Sequence, residues 1–510
     1  MSRLWLLLAL TLLAACPAEV GVRVEAPGRR LEAIEADTQA LLDEAVARYQ
    51  QRRTEQHIFA LDGFERFETM LEPGAIDYLV AAEDWGSLFF FGDEAFEAER
   101  DRASGVGQGR PPDDPRLPVR PRRVHDGERG GLDSSSCRSC HFSGGPDGAG
   151  TLTQVALLRG DGERLSSSTV RDAPHVMGLG WLEATARSLE LALDAQVSEY
   201  IATAAAVGAS EGFVGRLSAG GVDFGSVLVF PDGAVDTSLV RGISPDLRIR
   251  PFGLKGRHRS LVDLADEALQ IHHGHQSVRR EETFAEDPAR YLGPGPEGDR
   301  DDDGAADELS RAQPLLLASY LAMLPVPVVR VPEEPDLALR WGDGLRRFSE
   351  VGCAECHRID LRVVDDTLRL SAGGDPALEV TLSLRQVALA PRPERSDPLD
   401  PEPGALLFAF TDLKRHDLGP ELAEPQDEVL PDGSGRVRGS EWLTRPLWGL
   451  ADTAPYLHDG RAPTVHDAIL LHGGEATEAR LRYLELNDDE RADLRLFLLS
   501  LTREPALLVE

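Results

Sequence analysis

The chain is poor in cysteine, methionine and aromatic residues: its 510 residues include five cysteines, four methionines and 6% Phe, Trp and Tyr. So few thiols over this length exclude a scaffold stapled by disulfides. Positive charge is also in short supply. Lys and Arg total 54 against 87 Asp and Glu, a formal net charge of −33, which excludes anionic nucleic acid as a partner. The acidic balance suits a basic redox donor or acceptor protein, and it equally suits plain solubility. Beyond the first residues, no run is apolar enough to span a bilayer. The length allows roughly two to three domains.

The cysteines that are present fall in a pattern. Cys137-Arg138-Ser139-Cys140-His141 and Cys353-Ala354-Glu355-Cys356-His357 are both C-x-x-C-H, and they use four of the five cysteines. This is the attachment spacing of c-type haem, in which two thiols bond to the porphyrin edge and the following histidine reaches the iron. A zinc site or a thioredoxin-like redox pair also uses C-x-x-C. Neither needs the histidine that directly follows both copies. The pattern therefore points to two covalently bound haem c groups, with His141 and His357 as iron ligands.

The fifth cysteine lies near the start, in MSRLWLLLALTLLAACPAEV. Arg3 precedes an apolar run from Leu4 to Leu13, and Leu13-Ala14-Ala15-Cys16 has the form of a bacterial lipobox. The run is too short for a permanent membrane helix and reads as a signal segment. A plain secretory peptide and an uncleaved anchor are the other readings. The lipobox expectation is a signal peptide over 1–15 and a lipid on Cys16, holding the protein at the periplasmic side of a bacterial membrane.

Leu31, Ile34, Leu41, Leu42, Ala45 and Tyr49 recur at helical spacing, so 16–84 reads as a helical extension. Residues 101–136 and 391–440 are rich in Pro, Gly and charge and read as loops, while 360–390 suggests a short β-hairpin. The two halves echo each other. Gly92-x-x-x-Phe96 precedes the first haem motif and Gly344-x-x-x-Phe348 the second. Leu309, Tyr320, Leu321 and Leu324 match Leu486, Phe497, Leu498 and Leu501 in spacing, with Ser310 and Asn487 at the corresponding helix starts as N-caps. Each half is thus expected to end in a similar amphipathic helix. The boundary falls at the helix-breaking Pro325–Pro335.

A third echo bears on chemistry. Glu267-Ala268-Leu269-Gln270-Ile271-His272 resembles Asp467-Ala468-Ile469-Leu470-Leu471-His472, and both stretches follow a Gly-Arg pair, Gly256-Arg257 and Gly460-Arg461. His472 and His272 are therefore candidate distal iron ligands, although buried structural histidines would look the same. His273 and His275 compete with His272. Methionine, the other usual distal ligand, offers only Met70, Met177 and Met323 beyond Met1. Of these, Met323 sits on an apolar helix face, while Met177 and the nearby His175 are possible haem-pocket residues. Arg257 and Arg461 are candidate partners of haem propionates, since guanidinium forks fit carboxylates. Finally, Asp299, Asp301 and Asp303, with Gly304 and Asp307, have the alternating carboxylate spacing of a calcium loop. Ser310 stands where a full loop has its bidentate glutamate, and a solvated acidic loop is the other reading.

Together these residues resemble the bacterial di-haem oxidoreductase family, related to the di-haem cytochrome c peroxidases. The resemblance is carried further by Leu443-Thr444-Arg445-Pro446-Leu447-Trp448-Gly449-Leu450, by Thr453-Ala454-Pro455-Tyr456-Leu457-His458-Asp459-Gly460-Arg461 and by Thr411 to Gly419. Arg171 to Pro174, Gly178 to Glu183 and Arg250 to Gly256 carry it in the first half. It implies a mainly α fold of two cytochrome c-like haem domains, 85–328 and 336–505, with long loops and minor β-hairpins. Haem attachment outside the cytoplasm follows, in keeping with the signal segment.

The implied activity is that of a redox enzyme, probed best with hydrogen peroxide or another small oxidant. One haem relays electrons, and the other, on His141, reacts. Glu267, His272 and His275 lie in the stretch where its acid-base group is expected. A non-catalytic electron carrier and a di-haem oxygenase are the alternatives. In the peroxidases the distal ligand of the second domain follows the H-D-G block, a place held here by His472. Those enzymes also have a tryptophan between the haems in a W-D-G-R block. Leu254-Lys255-Gly256-Arg257 matches it and lacks the indole.

Overall fold

The computed structural model describes residues 84–100, 105–106, 134–152, 154–157, 169–286, 308–373, 378–385 and 405–503. Cys16, the expected helix at 31–49 and the carboxylates Asp299, Asp301, Asp303 and Asp307 lie outside the described residues. Helices α1 (Trp85–Glu97), α2 (Leu179–Val207), α3 (Leu261–Ala268), α4 (Val278–Glu286), α5 (Ala312–Met323), α6 (Pro335–Glu350), α7 (Val465–Leu471), α8 (Thr477–Glu485) and α9 (Asp488–Leu498) form the frame.

Small antiparallel sheets fill the spaces between them, so the fold is helical with a substantial β component. The strands are β1 (Val155–Leu157), β2 (Thr169–Arg171), β3 (Phe213–Ala219), β4 (Val222–Val229), β5 (Val235–Asp236), β6 (Val328–Val329), β7 (Leu361–Val363), β8 (Thr367–Ser371), β9 (Glu379–Ser383), β10 (Ala405–Leu407), β11 (Arg415–Asp417), β12 (Glu428–Val429), β13 (Arg436–Val437), β14 (Glu441–Leu443) and β15 (Leu501–Thr502). The hairpin expected over 360–390 is β8 paired with β9, Leu368 opposite Leu382. The stretch expected as a loop over 391–440 instead carries β10 to β13, each two or three residues long. Proline and glycine shorten these strands without abolishing pairing.

Two helix crossings organise the halves. In the first, α1 lies across α5, and a Cβ at Gly92 would run into the Cβ of Tyr320. In the second, α6 lies across α9, and a Cβ at Gly344 would strike the Asp493 carbonyl oxygen. Glycine at these points lets the two backbones approach. The cap at Asn487 agrees with the sequence, whereas α5 has Arg311 at its N-cap position and Ser310 one residue before it. Asn487 and Glu490 form a capping box at the start of α9. Ser310 Oγ accepts from Ala312 N (3.3 Å), and Gln313 Oε1 accepts from Ser310 N (3.0 Å).

A second expectation fails. Every residue of α5 is buried, so it is apolar all round rather than amphipathic. The reason is tertiary. Leu368 and Leu370 of β8 and Val380 and Leu382 of β9 pack into the same core as α2 and α5, closing the side that would have faced water. A smaller second core gathers Phe348, Phe410, Phe497 and Leu501. The proline-rich boundary segment is anchored too, with Val329 of β6 paired to Leu501 of β15.

Two glycines of α6 should respond oppositely to the same change. Gly344→Ala should destabilise by about 1–3 kcal/mol through overpacking. Gly342 meets nothing within 4 Å, and Gly342→Ala should stabilise by about 0.5–1 kcal/mol through helix propensity. Denaturant titration of the two variants checks both signs.

Candidate functional site

Both C-x-x-C-H motifs fold as one tight turn followed by the histidine. In the first, Cys137–Ser139 is a single 3-10 turn and His141 N donates to Cys137 O (3.1 Å). In the second, Cys353–Glu355 forms the same turn and His357 N donates to Cys353 O (2.9 Å). Gly352, directly before it, has φ 95°, a backbone conformation that favours glycine.

The histidines are set alike. His141 Nδ1 lies 3.2 Å from Gly148 O, and His357 Nδ1 lies 3.1 Å from Phe410 O. A carbonyl can only accept, so Nδ1 carries the proton and Nε2 keeps its lone pair for a metal. Burial pushes both imidazoles down to about 4, which keeps them neutral as a ligand must be.

A second histidine faces each of them. His472 depresses the pKa of His357, and His272 depresses that of His141. His472 ends α7, and its Nδ1 donates back to Ala468 O (2.7 Å), which again frees Nε2. The two are not equivalent in register, however. The bridges Phe252–His258 and Tyr456–Ala462 and the N-caps Ser260 and Thr464 are all offset by 204 residues. That offset puts Ala268, not His272, opposite His472. His272 sits one helical turn further on, in a π-helical turn over Leu269–His273. The competitors have other duties. His273 donates from Nδ1 to Ser134 O (2.7 Å) and places Nε2 3.7 Å from Cys137 Sγ, while His275 is buried behind it.

The thiols fit haem attachment better than the alternatives. All four are free of disulfides. Burial pushes Cys353 up to about 12 and raises Cys137 too, the reverse of an activated redox pair. Among the described residues the two C-x-x-C pairs do not converge on one metal position. The one cluster with metal-like spacing is Cys356, Asp412 and His416, and there Asp412 and Glu475 each bond a nitrogen of His416 at 2.8 Å.

Beside the second motif is a cavity of about 330 Å³ lined by Cys353, Cys356, His357 and His472. Its wall also contains Arg445, which has no ion-pair or hydrogen-bond partner among the described residues. Burial alone lowers its pKa, to about 10. A half-buried cation facing an apolar cavity between two histidines and two thiols fits a haem bearing propionates. The cavity continues to Asp172, Pro174 and His175 of the first half. His175 is pushed down to about 3 by burial, with Arg445, Arg503 and His141 adding to the effect. It therefore lines the cavity of the second motif while lying within electrostatic reach of His141 of the first.

Three expected site residues are placed elsewhere. Arg257 is committed to Glu267 (Nε to both oxygens, 2.8 Å) and Glu428 (3.2 Å). Arg461 is committed to Asp459 (2.6 Å) and Glu421 O (2.8 Å). The arginine that the cavity wall does hold is Arg445, and only its place in the T-R-P-L block could have signalled it. Glu267 would rise on burial, but Arg257 and His258 hold it well below the usual carboxylate range. Held as an anion, it is unsuited to donating a proton. Leu254 stands at the tryptophan of the W-D-G-R block and lines the cavity, while Lys255 beside it places Nζ 3.5 Å from the ring centre of Trp442, which stacks on His458 at 4.0 Å. An indole thus enters the cavity wall from β14 instead.

Two facing histidines beside a thiol pair, in a cavity whose wall holds a cation with no partner among the described residues, fit a haem-binding redox protein. Residues 398–501 match the family model described as Di-haem oxidoreductase, whose description adds peroxidase activity only provisionally. This stretch belongs to the di-haem oxidoreductase family, and the family implies haem as cofactor. Kuenenia stuttgartiensis hydrazine synthase aligns at 20% identity over 37% of this chain and 55% of its own, with a TM-score of 0.21. A MauG-like protein associated with microbial copper homeostasis aligns at 15% identity over 55% of this chain and 79% of its own, with a TM-score of 0.26. Superpositions this loose carry no argument. A search of curated proteins gave no match.

The unpaired cation gives a prediction whose sign depends on loading. In the haem-free chain Arg445→Leu should stabilise by about 1–4 kcal/mol, because an uncompensated charge leaves the cavity wall. In the haem-loaded chain it should lower the midpoint potential of one haem and leave the other unchanged. Calorimetry and a spectroelectrochemical titration check the two halves of this statement.

Proposed function

We propose that the chain is an exported di-haem c-type cytochrome acting as a redox enzyme of peroxidase-like character. One observation carries this reading. Both motif histidines have Nδ1 fixed to a carbonyl, and each has a second histidine within electrostatic reach. Haem bound at both motifs would supply one-electron redox chemistry and, at an open iron, a place for peroxide.

The remaining roles fall to the chain. Cys137 and Cys140, and Cys353 and Cys356, form the thioether links. His357 and His472 close the second site, since α7 is regular and His472 is braced by Ala468. His272 is held by a π-helical turn, a form often found at functional sites, which favours the first site as the one that opens. With Glu267 held ionised, His272 and His275 remain to move protons there. Cys16 carries the lipid that tethers the protein at the periplasmic face, and the Asp299–Asp307 loop takes calcium.

The test is to mature the protein in a host that attaches haem c. Two haems per chain should appear by mass, and one in Cys353→Ser/Cys356→Ser. The half-reduced protein should show one high-spin haem whose spectrum changes with peroxide. Replacing His472 by Gly should open the second haem, while His272→Gly should leave that haem low-spin. Two strictly low-spin haems that ignore peroxide would establish the carrier in its place, and substrate-driven oxygen uptake would establish the oxygenase.

A further inference from the structure

Tyr320 lies at the α1–α5 crossing with no exposed surface. Its hydroxyl is within hydrogen-bond distance of two carboxylates, Asp93 Oδ1 at 2.9 Å and Asp147 Oδ1 at 2.6 Å. A buried tyrosine needs one acceptor to be satisfied. Two carboxylate oxygens around one hydroxyl proton require a second proton, or lone pairs would face each other. Burial supplies the reason for that proton. It pushes Asp93 up to about 7, against the Tyr320 hydrogen bond and reinforced by Glu97, Asp147 and Glu94. Burial also raises Asp147, opposed by Tyr320, Arg503 and Arg138 and reinforced by Glu97. The phenol itself is driven up by burial and by both carboxylates. The set therefore holds one carboxylic acid and one carboxylate beside a neutral phenol.

This group adjoins the first motif. Asp147 lies in the loop whose Gly148 carbonyl fixes His141. The ring of Phe96 is 5.9 Å from His141 and 5.5 Å from Tyr320, centre to centre. An aromatic contact thus runs without a break from the iron-ligating imidazole to the phenol. Oxidising a phenol makes it a strong acid, so its proton must leave with the electron. Here the acceptor is already hydrogen-bonded.

We propose that Tyr320 is an electron donor to the haem carried by His141. When peroxide has oxidised that haem, the phenol gives it one electron. The Tyr320 O–H bond breaks, and an O–H bond forms on whichever of Asp147 and Asp93 is ionised. A neutral tyrosyl radical remains, and the return of one electron and that proton restores the phenol. This rests on the peroxidase-like reading above and adds to it a place where oxidising equivalents wait outside the porphyrin.

The experiment uses the haem-loaded full chain, mixed with peroxide, frozen and read by electron paramagnetic resonance alongside its absorption spectrum. A tyrosyl signal is expected whose hyperfine pattern changes when the protein is grown on ring-deuterated tyrosine. Tyr320→Phe keeps the ring and should lose that signal while the haem still responds to peroxide. Asp147→Asn keeps the phenol, removes the nearer acceptor and should weaken the signal, which supplies the answer if Tyr320→Phe does not fold. A haem that responds while the wild-type protein shows no tyrosyl signal, or one undiminished in both variants, overturns the proposal. A haem spectrum that ignores peroxide overturns the peroxidase-like reading first, and the role of Tyr320 with it.

Discussion

The close approach of two helix pairs sets where both candidate sites stand. At Gly92 the α1 backbone rests on Tyr320, and at Gly344 the α6 backbone rests on the carbonyl of Asp493. The turn carrying Cys353, Cys356 and His357 begins three residues after α6 ends. Its position is therefore inherited from the crossing, and a wider crossing would move the histidine with it. Phe348, Phe410 and Phe497 meet edge to face beneath that turn, with ring centres 5.3–6.1 Å apart. The same Phe410 supplies the carbonyl that fixes His357. Packing, the backbone hydrogen bond and the imidazole tautomer are in this way one constraint.

Much of this was legible in the sequence because it is local. Spacing gave the two motifs, the glycine–phenylalanine helices, the capping residues and the break at the prolines. What was not legible depends on residues far apart in the chain. Arg257, Arg461 and Arg445 look alike as sequence, and each follows or sits in a family block. They differ only in what folds against them: Glu428 lies 171 residues from Arg257 and satisfies it, whereas no carboxylate among the described residues reaches Arg445. The all-round burial of α5 likewise needs a hairpin from the other half. The one-turn displacement of His272 was hidden for another reason. Aligning histidine with histidine gives a plausible match, and only the caps and bridges reveal the true offset.

Charge is distributed in the same long-range manner. The chain's excess of acid supplies partners to several of its buried arginines. Arg171 pairs with Glu424 (2.8 Å) and Glu428 (2.6 Å), and Glu428 pairs on to Arg257 and from there to Glu267. The network runs from the first half to the 424–428 segment of the second. Buried pairs of this kind add little net stability, since desolvation offsets attraction. They are strict about geometry, and breaking one strands a charge. Their effect is to fix the wall between the halves, where Lys255, Trp442 and His458 stack.

The two sites are thus built to one plan and finished differently. The second has its facing histidine, His472, on a regular helix end, tied by a 2.7 Å bond to its own backbone. The first has its facing histidine, His272, one turn later, on a π-helical turn that a regular α3 would not produce. A π turn spends backbone geometry that an α-helix would keep, and such strain persists only where the surroundings enforce it. Here they do. The N-cap Ser260 fixes one end, Gly274 with φ 85° fixes the other, and His273 is pinned to Ser134. The α3–π segment is thus held from both ends, with His272 near its C-terminal end. His472 ends a regular helix and bonds back to Ala468 O, whereas His272 rides on a π-helical turn braced by its neighbour His273, so the two stretches differ in backbone more than in residue type.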